Sequence, residues 1–242
     1  MTIRILDIVD MQKGFVCRSG NLPIPGAESL IEKANDFLSA VPKDAFAAAL
    51  FKQDTHFAGE YAESPEGKMF PLHCAFGTED WELVVNPELL SGKCPVCHMM
   101  KNVFDMWGEK PESGIEGTWT EKNMHSVLFD VSWNDGGTDT GCSREEFFKD
   151  HLGGFENLEV VMFGVASDYC NRWAMEGYLA RGAKVVILED LTKGIAKETA
   201  DVVAEEKYAD YLASGQLRIT SAQEFLQSCA PKPKNPAPAP KP

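Results

Sequence analysis

The chain alternates short apolar segments with segments of helical periodicity, and this alternation limits the folds open to it. The clearest apolar segment is Leu158–Val165 (LEVVMFGV), which has the length and composition of a buried strand. The same reasoning predicts strands over 3–9, 46–52, 184–188 and 217–220, and helices over 27–40, after Cys170 and over 197–212. This alternation predicts a three-layer α/β fold, in which a mostly parallel central sheet carries helices on both faces.

Three polar residues lie at or just beyond the ends of predicted strands. Asp10 and Asp54 each follow an apolar strand segment, and Cys170 follows Leu158–Val165 after a short turn. Sheets of this kind bind ligands at the carboxyl ends of their strands. We therefore expect Asp10, Asp54 and Cys170, which are distant in sequence, to meet at one edge of the sheet.

The composition narrows the partners and the compartment. The 242 residues include 23 Lys and Arg and 37 Asp and Glu, which gives a formal net charge of −14. An acidic surface repels phosphate backbones and anionic lipids, so we expect neither nucleic acid nor a membrane as a partner. Seven cysteines, without a signal-peptide pattern, indicate a cytoplasmic protein with free, metal-bound or catalytic thiols. The sequence leaves open whether the chain is a homo-oligomer.

Two segments depart from the strand and helix pattern. Residues from about 86 to 120 are rich in Gly, Pro, Lys and Cys, and we predict a long loop inserted into a domain that covers 1–228. Residues 229–242 are rich in proline and are predicted to form a disordered tail. The inserted segment contains Cys94, Cys97 and His98 in a C-x-x-C-H pattern. A metal site and a lid or interface loop are the alternatives for it.

Cys170 is the candidate nucleophile, because it is placed where a buried strand turns into a helix. A helix N-terminus offers free N–H groups and a partial positive charge, which stabilise a thiolate and a developing oxyanion. Asp10 could be the neighbouring base, and Lys122 a cation that favours the thiolate. The alternatives are an inert buried thiol, a loop-capping aspartate and a solvated surface lysine. If Lys122 has no such role, Lys101 and Lys110 are the next candidates.

A metal site is predicted from Asp54, His56 and His73. Asp54 and His56 are two residues apart, so on an extended segment their side chains point to the same side, and His73 comes from the following loop. Two histidines and one carboxylate leave coordination positions open for water or substrate. The alternative is a pair of unrelated loop histidines. A fourth ligand could come from one of three nearby glutamates: Glu60, Glu63 or Glu66.

These motifs resemble those of the isochorismatase-like cysteine hydrolases and, within them, the nicotinamidases. The resemblance is carried by DIVDMQKGFV, NLPIPGA, QDTHF, FPLHCAFGTE and FGVASDYCNRWA, and it covers roughly 1–228 apart from the insertion. GVASDYC is highly specific to the superfamily, and the D-x-H…H set is specific to its metal-dependent amidases. Three positions depart from the family: Thr55 and Phe70 stand where it often has Trp, and Asn171 replaces a small apolar residue.

The resemblance implies a catalytic role for each matching residue. Asp10, Lys122 and Cys170 would form the catalytic triad. The backbone N–H groups of Ala166 and Cys170 would form the oxyanion hole, with a cis peptide bond between Val165 and Ala166. The implied reaction is hydrolysis of nicotinamide to nicotinate and ammonia through a thioester intermediate.

The resemblance also implies how a substrate is held. Asp54, His56 and His73 would bind one divalent metal ion, with zinc expected and iron or manganese as alternatives. Phe15 and Phe70 would flank the ring of a small aromatic carboxamide. The competing hypotheses are another small-carboxamide amidase of the same superfamily and a non-catalytic binding module.

Overall fold

The computed structural model describes residues 2–108, 127–135 and 138–229, and the strands among them form one eight-stranded sheet. In chain order the strands are β1 (Ile3–Val9), β2 (Ala48–Asp54), β3 (Val96–Lys101), β4 (Asp130–Asp135), β5 (Thr138–Ser143), β6 (Leu158–Val165), β7 (Lys184–Lys193) and β8 (Leu217–Thr220). Across the sheet their order is β5-β4-β3-β2-β1-β6-β7-β8. Strands β3, β2, β1, β6, β7 and β8 are parallel neighbours, whereas β4 and β5 pair antiparallel at one edge.

Helices cover both faces of the sheet. The α-helices in the described ranges are Lys13–Val16, Leu30–Ala40, Arg144–Glu146, Cys170–Ala180, Thr199–Val203, Ala209–Ser214 and Ala222–Cys229. Shorter helical turns are Ala27–Ser29, Tyr61–Glu63, Glu66–Lys68, Glu79–Trp81, Pro87–Leu90, Glu206–Tyr208 and the π-helical Phe147–His151. Leu30–Ala40 and Ala222–Cys229 bury side chains in the core on one face, and Cys170–Ala180 and Thr199–Val203 in the core on the other. The predicted three-layer α/β fold is therefore confirmed.

The central strands β1 and β6 are buried because alternate residues enter the two cores. Leu6 and Ile8 pack on one face of the sheet, and Ile5 and Val9 pack on the other. Gly164 in β6 has a φ of 123°, and a Cβ there would lie 2.0 Å from the Val9 carbonyl oxygen. Glycine therefore lets the end of β6 approach the end of β1.

The strand order reverses at β1. From β1 the chain builds outward through β2 and β3 on one side, and later through β6, β7 and β8 on the other. Such a reversal leaves a crevice at the carboxyl ends of the two central strands, where ligands bind in open α/β sheets. The ends of β1 and β6 therefore define the expected position of a site.

The sequence-based interpretation of 86–120 as an inserted loop is wrong over Val96–Lys101, which is strand β3 and pairs with β2. Its composition hid it, because His98 and the terminal lysine interrupt the apolar pattern. In the structure Cys97 and Met99 point into one core, while the His98 ring stacks on Phe51 at 5.6 Å on the opposite face. The remainder of the predicted insertion from residue 109 onward lies outside the described residues.

The predicted helix over 197–212 is wrong as one element. It is divided into Thr199–Val203, a 3-10 turn and Ala209–Ser214. Glu205 takes an extended conformation at the break, and its carboxylate pairs with Arg172 at 2.7 Å and Lys197 at 2.9 Å. The sequence analysis does not predict β4, β5 or the helix Ala222–Cys229, and it places Cys229, the last residue of that helix, in the tail. The rest of that tail, 230–242, lies outside the described residues.

Among the helices of the described residues, none has the length and hydrophobicity needed to cross a bilayer.

Candidate active site

Four strands end at the same edge of the sheet, and each supplies a polar side chain there. Asp10 follows β1, Asp54 is the last residue of β2, Lys101 is the last residue of β3, and Cys170 follows β6 after a turn. Parallel pairing aligns these ends, with Asp54 directly beside Lys101 in the register. The structure therefore brings together the three strand-end residues predicted from the sequence and adds a lysine.

Asp10, Lys101 and Cys170 form a buried acid–cation–thiol group. The Lys101 Nζ lies 2.8 Å from Asp10 Oδ2 and donates a hydrogen bond to Cys170 Sγ at 3.4 Å. Lys101 is 1% exposed, Asp10 0% and Cys170 6%. Asp10 adopts a positive φ of 51°, and its N–H donates to the Lys52 carbonyl oxygen of β2 at 3.0 Å. The end of β1 is thus tied to β2 directly beside the group.

The lysine in this group is Lys101, which the sequence offered only as an alternative to Lys122. Lys122 lies outside the described residues. Lys101 has no stronger signal in the sequence, because the composition of 86–120 predicts an inserted loop there rather than the end of a strand. If Val96–Lys101 is taken as a strand, Lys101 ends that strand as Asp54 ends β2, and the two residues are paired neighbours.

Burial and the lysine charge act in opposite directions on the acid and the thiol. Burial raises the pKa of Cys170 well above its ordinary value, while the Lys101 charge lowers it. Burial also raises the pKa of Asp10, again against the Lys101 charge. For Lys101 itself burial lowers the pKa, but the charges of Asp10 and Asp54 outweigh burial and raise it well above its usual range. Lys101 is therefore a permanent cation between two groups that can exchange a proton.

The turn between β6 and the helix Cys170–Ala180 is held by hydrogen bonds from a distant loop. The Asp168 carboxylate accepts from the backbone N–H groups of Ile195, Ala196 and Lys197 at 2.9, 2.8 and 3.0 Å. The Val165–Ala166 peptide is cis, as the family resemblance implies. The three hydrogen bonds to Asp168 hold the turn that leads into the helix, of which Cys170 is the first residue.

The backbone N–H groups of Ala166 and Cys170 belong to the turn after β6 and to the first residue of the helix that follows it. Neither donates any of the hydrogen bonds found outside helices and strands in the described part of the chain. A helix N-terminus presents such unpaired donors together with a partial positive charge. Both N–H groups are therefore available to a developing oxyanion.

A second buried group consists of Asp54, His56, Glu66 and His73, whose ligand atoms all lie within 4.8 Å of one another. The His56 Nε2 is 2.9 Å from Asp54 Oδ2 and 3.0 Å from Glu66 Oε2. The His73 Nε2 is 3.2 Å from Asp54 Oδ2 and 3.8 Å from Glu66 Oε2. Two imidazoles and two carboxylates aimed at one point form a donor set suited to a divalent cation.

Further contacts orient the histidines of this group. The His73 Nδ1 lies 2.8 Å from the Pro71 carbonyl oxygen and 3.2 Å from the Tyr61 hydroxyl, which leaves Nε2 to face the carboxylates. Burial lowers the pKa of His56, but the charges of Asp54 and Glu66 outweigh it and raise this pKa to about 9. The concentration of negative charge therefore favours a cation at this position.

Glu66 is the fourth member, and it is the only one of the three candidate glutamates that is buried. Glu60 and Glu63 are exposed. Glu66 begins a short 3-10 turn, and the spacing of the sequence gave no indication of which glutamate would turn inward.

Lys101 connects the two groups, because its Nζ also lies 3.4 Å from Asp54 Oδ1. One carboxylate therefore faces the cation of the first group and the two histidines of the second. Any ligand held by the second group lies close to the thiol of the first.

Aromatic rings surround this edge of the sheet. The Phe15 ring lies 5.0 Å from the His73 ring in a tilted contact, and the Phe70 ring lies 6.5 Å from it in a T-shaped contact. Phe70 also contacts Tyr169 at 5.5 Å and Phe104 at 6.1 Å. Phe15 and Phe70 were predicted from the sequence, whereas Phe104 and Tyr169 had no signal beyond their proximity to Lys101 and Cys170 in the chain.

The positions that depart from the family pattern have their own partners or surroundings. The Thr55 Oγ1 accepts a hydrogen bond from the Trp81 Nε1 at 2.9 Å, so an indole from a distant segment lies beside this position. Asn171 is buried at the start of the nucleophile helix, and its side-chain amide makes no hydrogen bond with the described residues.

The C-x-x-C-H pattern does not converge on one point. Cys94 packs against one core and Cys97 enters the other, on the opposite face of the sheet. Within the described ranges, the Asp54, His56, Glu66 and His73 group is the metal-ligand cluster that the side chains form. The hypothesis of a metal held by Cys94, Cys97 and His98 is therefore not supported.

Two curated proteins are similar to this chain in sequence over most of its length. The chain is 25% identical over 230 residues to the nicotinamidase of Saccharomyces cerevisiae, covering 84% of this chain and 95% of that protein. It is 26% identical over 239 residues to the nicotinamidase of Escherichia coli, covering 92% of this chain and 97% of that protein. No protein-family model matches the chain.

Solved structures share the fold. PnC1 from L. infantum, in complex with nicotinate, aligns with a TM-score of 0.60 and 20% identity over 92% of this chain and 94% of that one. The pyrazinamidase of Pyrococcus horikoshii, in complex with zinc, aligns with a TM-score of 0.55 and 24% identity over 90% of this chain and 98% of that one. An isochorismatase-like hydrolase from Alkaliphilus metalliredigens aligns with a TM-score of 0.62 and 16% identity, covering 94% of this chain and 100% of that one.

The chain shares its fold with an isochorismatase-like hydrolase and an N-carbamoylsarcosine amidase, and its sequence is similar to that of curated amidohydrolases. The curated sequences that it matches over most of its length are nicotinamidases. The resemblance to nicotinamidases found in the motifs of the chain is therefore confirmed.

Proposed function

We propose that this enzyme hydrolyses nicotinamide to nicotinate and ammonia, with Cys170 as the nucleophile. The observation that carries the proposal is the position of Lys101, which contacts Asp10, Cys170 and Asp54 within 3.4 Å. A thiol nucleophile, its base and a set of metal ligands are thereby joined through one buried ammonium group. This combination suits a carboxamide that is attacked at its carbon while another part of the same molecule is held nearby.

The two-step reaction assigns one role to each group. Asp10 accepts the thiol proton, and the Cys170 sulfur forms a bond to the carboxamide carbon. The resulting oxyanion is stabilised by the N–H groups of Ala166 and Cys170, and Lys101 stabilises the negative charge on its two neighbours. Asp10 then gives its proton to the leaving nitrogen as the C–N bond breaks, and ammonia departs.

The thioester is removed by water. Asp10, again a carboxylate, accepts a proton from a water molecule. The oxygen of that water attacks the thioester carbon. The carbon–sulfur bond breaks, and the proton returns from Asp10 to the Cys170 sulfur. The product is the carboxylic acid, and the enzyme again has a Cys170 thiol and an Asp10 carboxylate.

We propose that Asp54, His56, Glu66 and His73 hold one divalent metal ion, for which zinc is the first candidate. The donor set fits such an ion, because four buried nitrogen and oxygen ligands converge and two of them carry negative charge. When bound, the ion would offer a Lewis acid to a ring nitrogen of the substrate. His73 is oriented for this by Pro71, and the exposed Glu60 and Glu63 are not in a position to contribute.

The aromatic side chains support a flat ring as the substrate. Phe15 and Phe70 both contact the His73 ring, so they border the space in front of the ligand cluster. Tyr169 precedes the nucleophile and contacts Phe70, which extends this border towards Cys170. A nicotinamide ring between these groups would direct its nitrogen towards the ligand cluster and its carboxamide towards the thiol.

The second candidate function is hydrolysis of another small carboxamide or ureido compound. The observation in its favour is that the N-carbamoylsarcosine amidase of Thermoplasma acidophilum shares the fold, with a TM-score of 0.54 and 17% identity. An aliphatic substrate would use neither the aromatic border nor the ligand cluster.

The experiment is ammonia release from a panel of nicotinamide, pyrazinamide, benzamide and a small aliphatic amide, with Cys170→Ala as the control. Benzamide keeps the ring and the carboxamide of nicotinamide but lacks the ring nitrogen. We expect turnover of nicotinamide and pyrazinamide, at least about 100-fold lower kcat/KM on benzamide, and no turnover by Cys170→Ala. Equal rates on nicotinamide and benzamide would contradict metal recognition of the ring, and a preference for the aliphatic amide would favour the second candidate.

A further inference from the structure

A third buried polar group lies in the core beside the candidate active site, and the proposed reaction uses none of its members. It consists of Asp7, Lys52 and Tyr178, here called the underlying cluster. The Lys52 Nζ is 2.8 Å from Asp7 Oδ2, and both side chains are completely buried. The same Nζ lies 5.8 Å from the centre of the Tyr178 ring. The buried Tyr178 hydroxyl interacts with the Asp7 carboxylate, although no well-formed hydrogen bond joins them.

Lys52 joins the strands that carry the base and the first metal ligand. It lies on β2, two residues before Asp54, and its carbonyl oxygen accepts the N–H of Asp10 at 3.0 Å. Its side chain reaches Asp7 on β1, three residues before Asp10. The main chain and the side chain of Lys52 thus both hold the end of β1 against β2.

Lys52 also contacts the helix that begins at Cys170 and the segment that follows Lys101. Tyr178 belongs to the helix that begins at Cys170. The Met106 Sδ lies 3.0 Å from the Lys52 Nζ, in the segment that directly follows Lys101. The underlying cluster therefore contacts the strand, helix or chain segment that leads to or from each of the three members of the proposed catalytic group.

The helix geometry transmits a constraint at Tyr178 to Cys170. Cys170, Ala174 and Tyr178 follow one another at intervals of four residues, so they lie on one face of the helix, and all three are buried. The Trp107 ring packs against Tyr178 at 5.1 Å, and a Cβ at Gly177 would lie 1.8 Å from the Trp107 Nε1. This tight packing leaves the Tyr178 end of the helix little freedom to rotate, and the Cys170 end follows it.

Stability alone does not account for an ion pair in this position. Replacing a buried ion pair by apolar residues of similar volume is often neutral or stabilising, because desolvation offsets the attraction between the charges. The surrounding core is apolar, with Ile5, Val9 and Leu50 on the same face of the sheet. In some proteins, however, a buried polar or charged group restricts its neighbours to one arrangement more strictly than apolar contacts do.

We propose that Asp7, Lys52 and Tyr178 are positioning residues, which hold β1, β2 and the helix Cys170–Ala180 in the arrangement that brings Cys170, Asp10 and Lys101 together. This inference rests on the proposed function of those three residues. The underlying cluster touches no substrate and acts through the elements that it joins.

The main test is the paired variant Asp7→Leu/Lys52→Met, which removes both charges and leaves neither one buried alone. We expect its unfolding midpoint to stay within about 5 °C of the wild type, because the replacement is apolar and similar in volume. We expect kcat on nicotinamide to fall at least about tenfold while KM changes less than about threefold, because misplacement affects the chemical step.

Two further variants make the test specific. Tyr178→Phe removes one oxygen and keeps the ring, and we expect kcat to fall at least about threefold at an unchanged KM. Arg4→Met is the matched control, since it breaks the Arg4–Glu159 ion pair between β1 and β6 at the opposite end of the sheet. It should keep kcat within about twofold of the wild type whatever its effect on stability.

A measurement without substrate separates this inference from the proposed function. The rate at which iodoacetamide alkylates Cys170, followed by mass spectrometry of its peptide, should change at least about threefold in the paired variant and in Tyr178→Phe. If the wild type releases no ammonia from nicotinamide, the proposed function fails and the alkylation rates still decide about positioning. If the paired variant does not fold, Tyr178→Phe decides alone.

The inference is overturned if the folded variants keep both kcat and the alkylation rate within about twofold of the wild type. It is also overturned if Arg4→Met lowers kcat as much as they do, because the loss would then follow general destabilisation.

Discussion

Replacement of Lys101 by Met tests the proposed catalytic group most directly. The side chain is 1% exposed and its Nζ is 2.8 Å from Asp10 Oδ2. With an effective dielectric constant of about 20, Coulomb's law gives about 6 kcal/mol of attraction for this pair before desolvation is counted. Removing one partner of a buried pair costs about 3–5 kcal/mol, because it leaves the other charge uncompensated. Asp10 avoids this cost by taking up a proton, and it then cannot accept the proton of Cys170.

We therefore expect Lys101→Met to lower kcat on nicotinamide at least about 1000-fold, which corresponds to about 4 kcal/mol of transition-state stabilisation. The double variant Asp10→Asn/Lys101→Met should be little worse than the poorer single variant, because the residues act as a unit. Lys122→Met is the matched comparison. The family resemblance implies Lys122 as the catalytic lysine, whereas in the structure Lys101 donates a hydrogen bond to the Cys170 thiol. Steady-state ammonia release and circular dichroism would measure activity and folding. A folded Lys101→Met enzyme within about tenfold of wild-type kcat, or an equal loss in Lys122→Met, would refute the reasoning.

Two further predictions concern the metal ligands and the nucleophile turn. Glu66→Gln should weaken zinc binding at least about tenfold in a chelator competition. The control Glu63→Gln changes an exposed glutamate and should leave the zinc affinity unaltered. Equal zinc affinities of Glu66→Gln and the wild type would exclude Glu66 as a ligand. Asp168→Ala removes the acceptor of three backbone hydrogen bonds. It should lower the free energy of unfolding by about 2 kcal/mol, measured by urea denaturation. It should also lower kcat, measured by ammonia release. Asp190→Ala, which removes the acceptor of a hydrogen bond from the Ala222 N–H, is its control, and an equal loss of kcat there would contradict a specific role for Asp168.

The parts of the site that were predictable from sequence follow directly after strongly apolar strands. Asp10, Asp54 and Cys170 could be placed at one edge because buried parallel strands have a clear apolar signature and share the direction of their ends. Lys101 could not be placed with the same certainty, since its strand contains a histidine and lies in a segment of loop-like composition. Glu66 was one of three equivalent candidates, because irregular turns have no periodicity that says which side chain points inward.

The proposed base, thiol, cation and metal ligands depend on one feature of the sheet, the register between β2 and β3. Asp54 and Lys101 are paired neighbours, and their side chains lie on the same face as Lys52 and Met99. Successive residues of a strand alternate between the faces, so a slip of one residue would put Met100 beside Asp54 and turn the lysine away from Cys170. The same register positions Asp54 for His56 and Lys101 for Asp10. Since one pairing sets both groups, the proposed nucleophile and the proposed metal site are parts of a single structure, and neither can shift without the other.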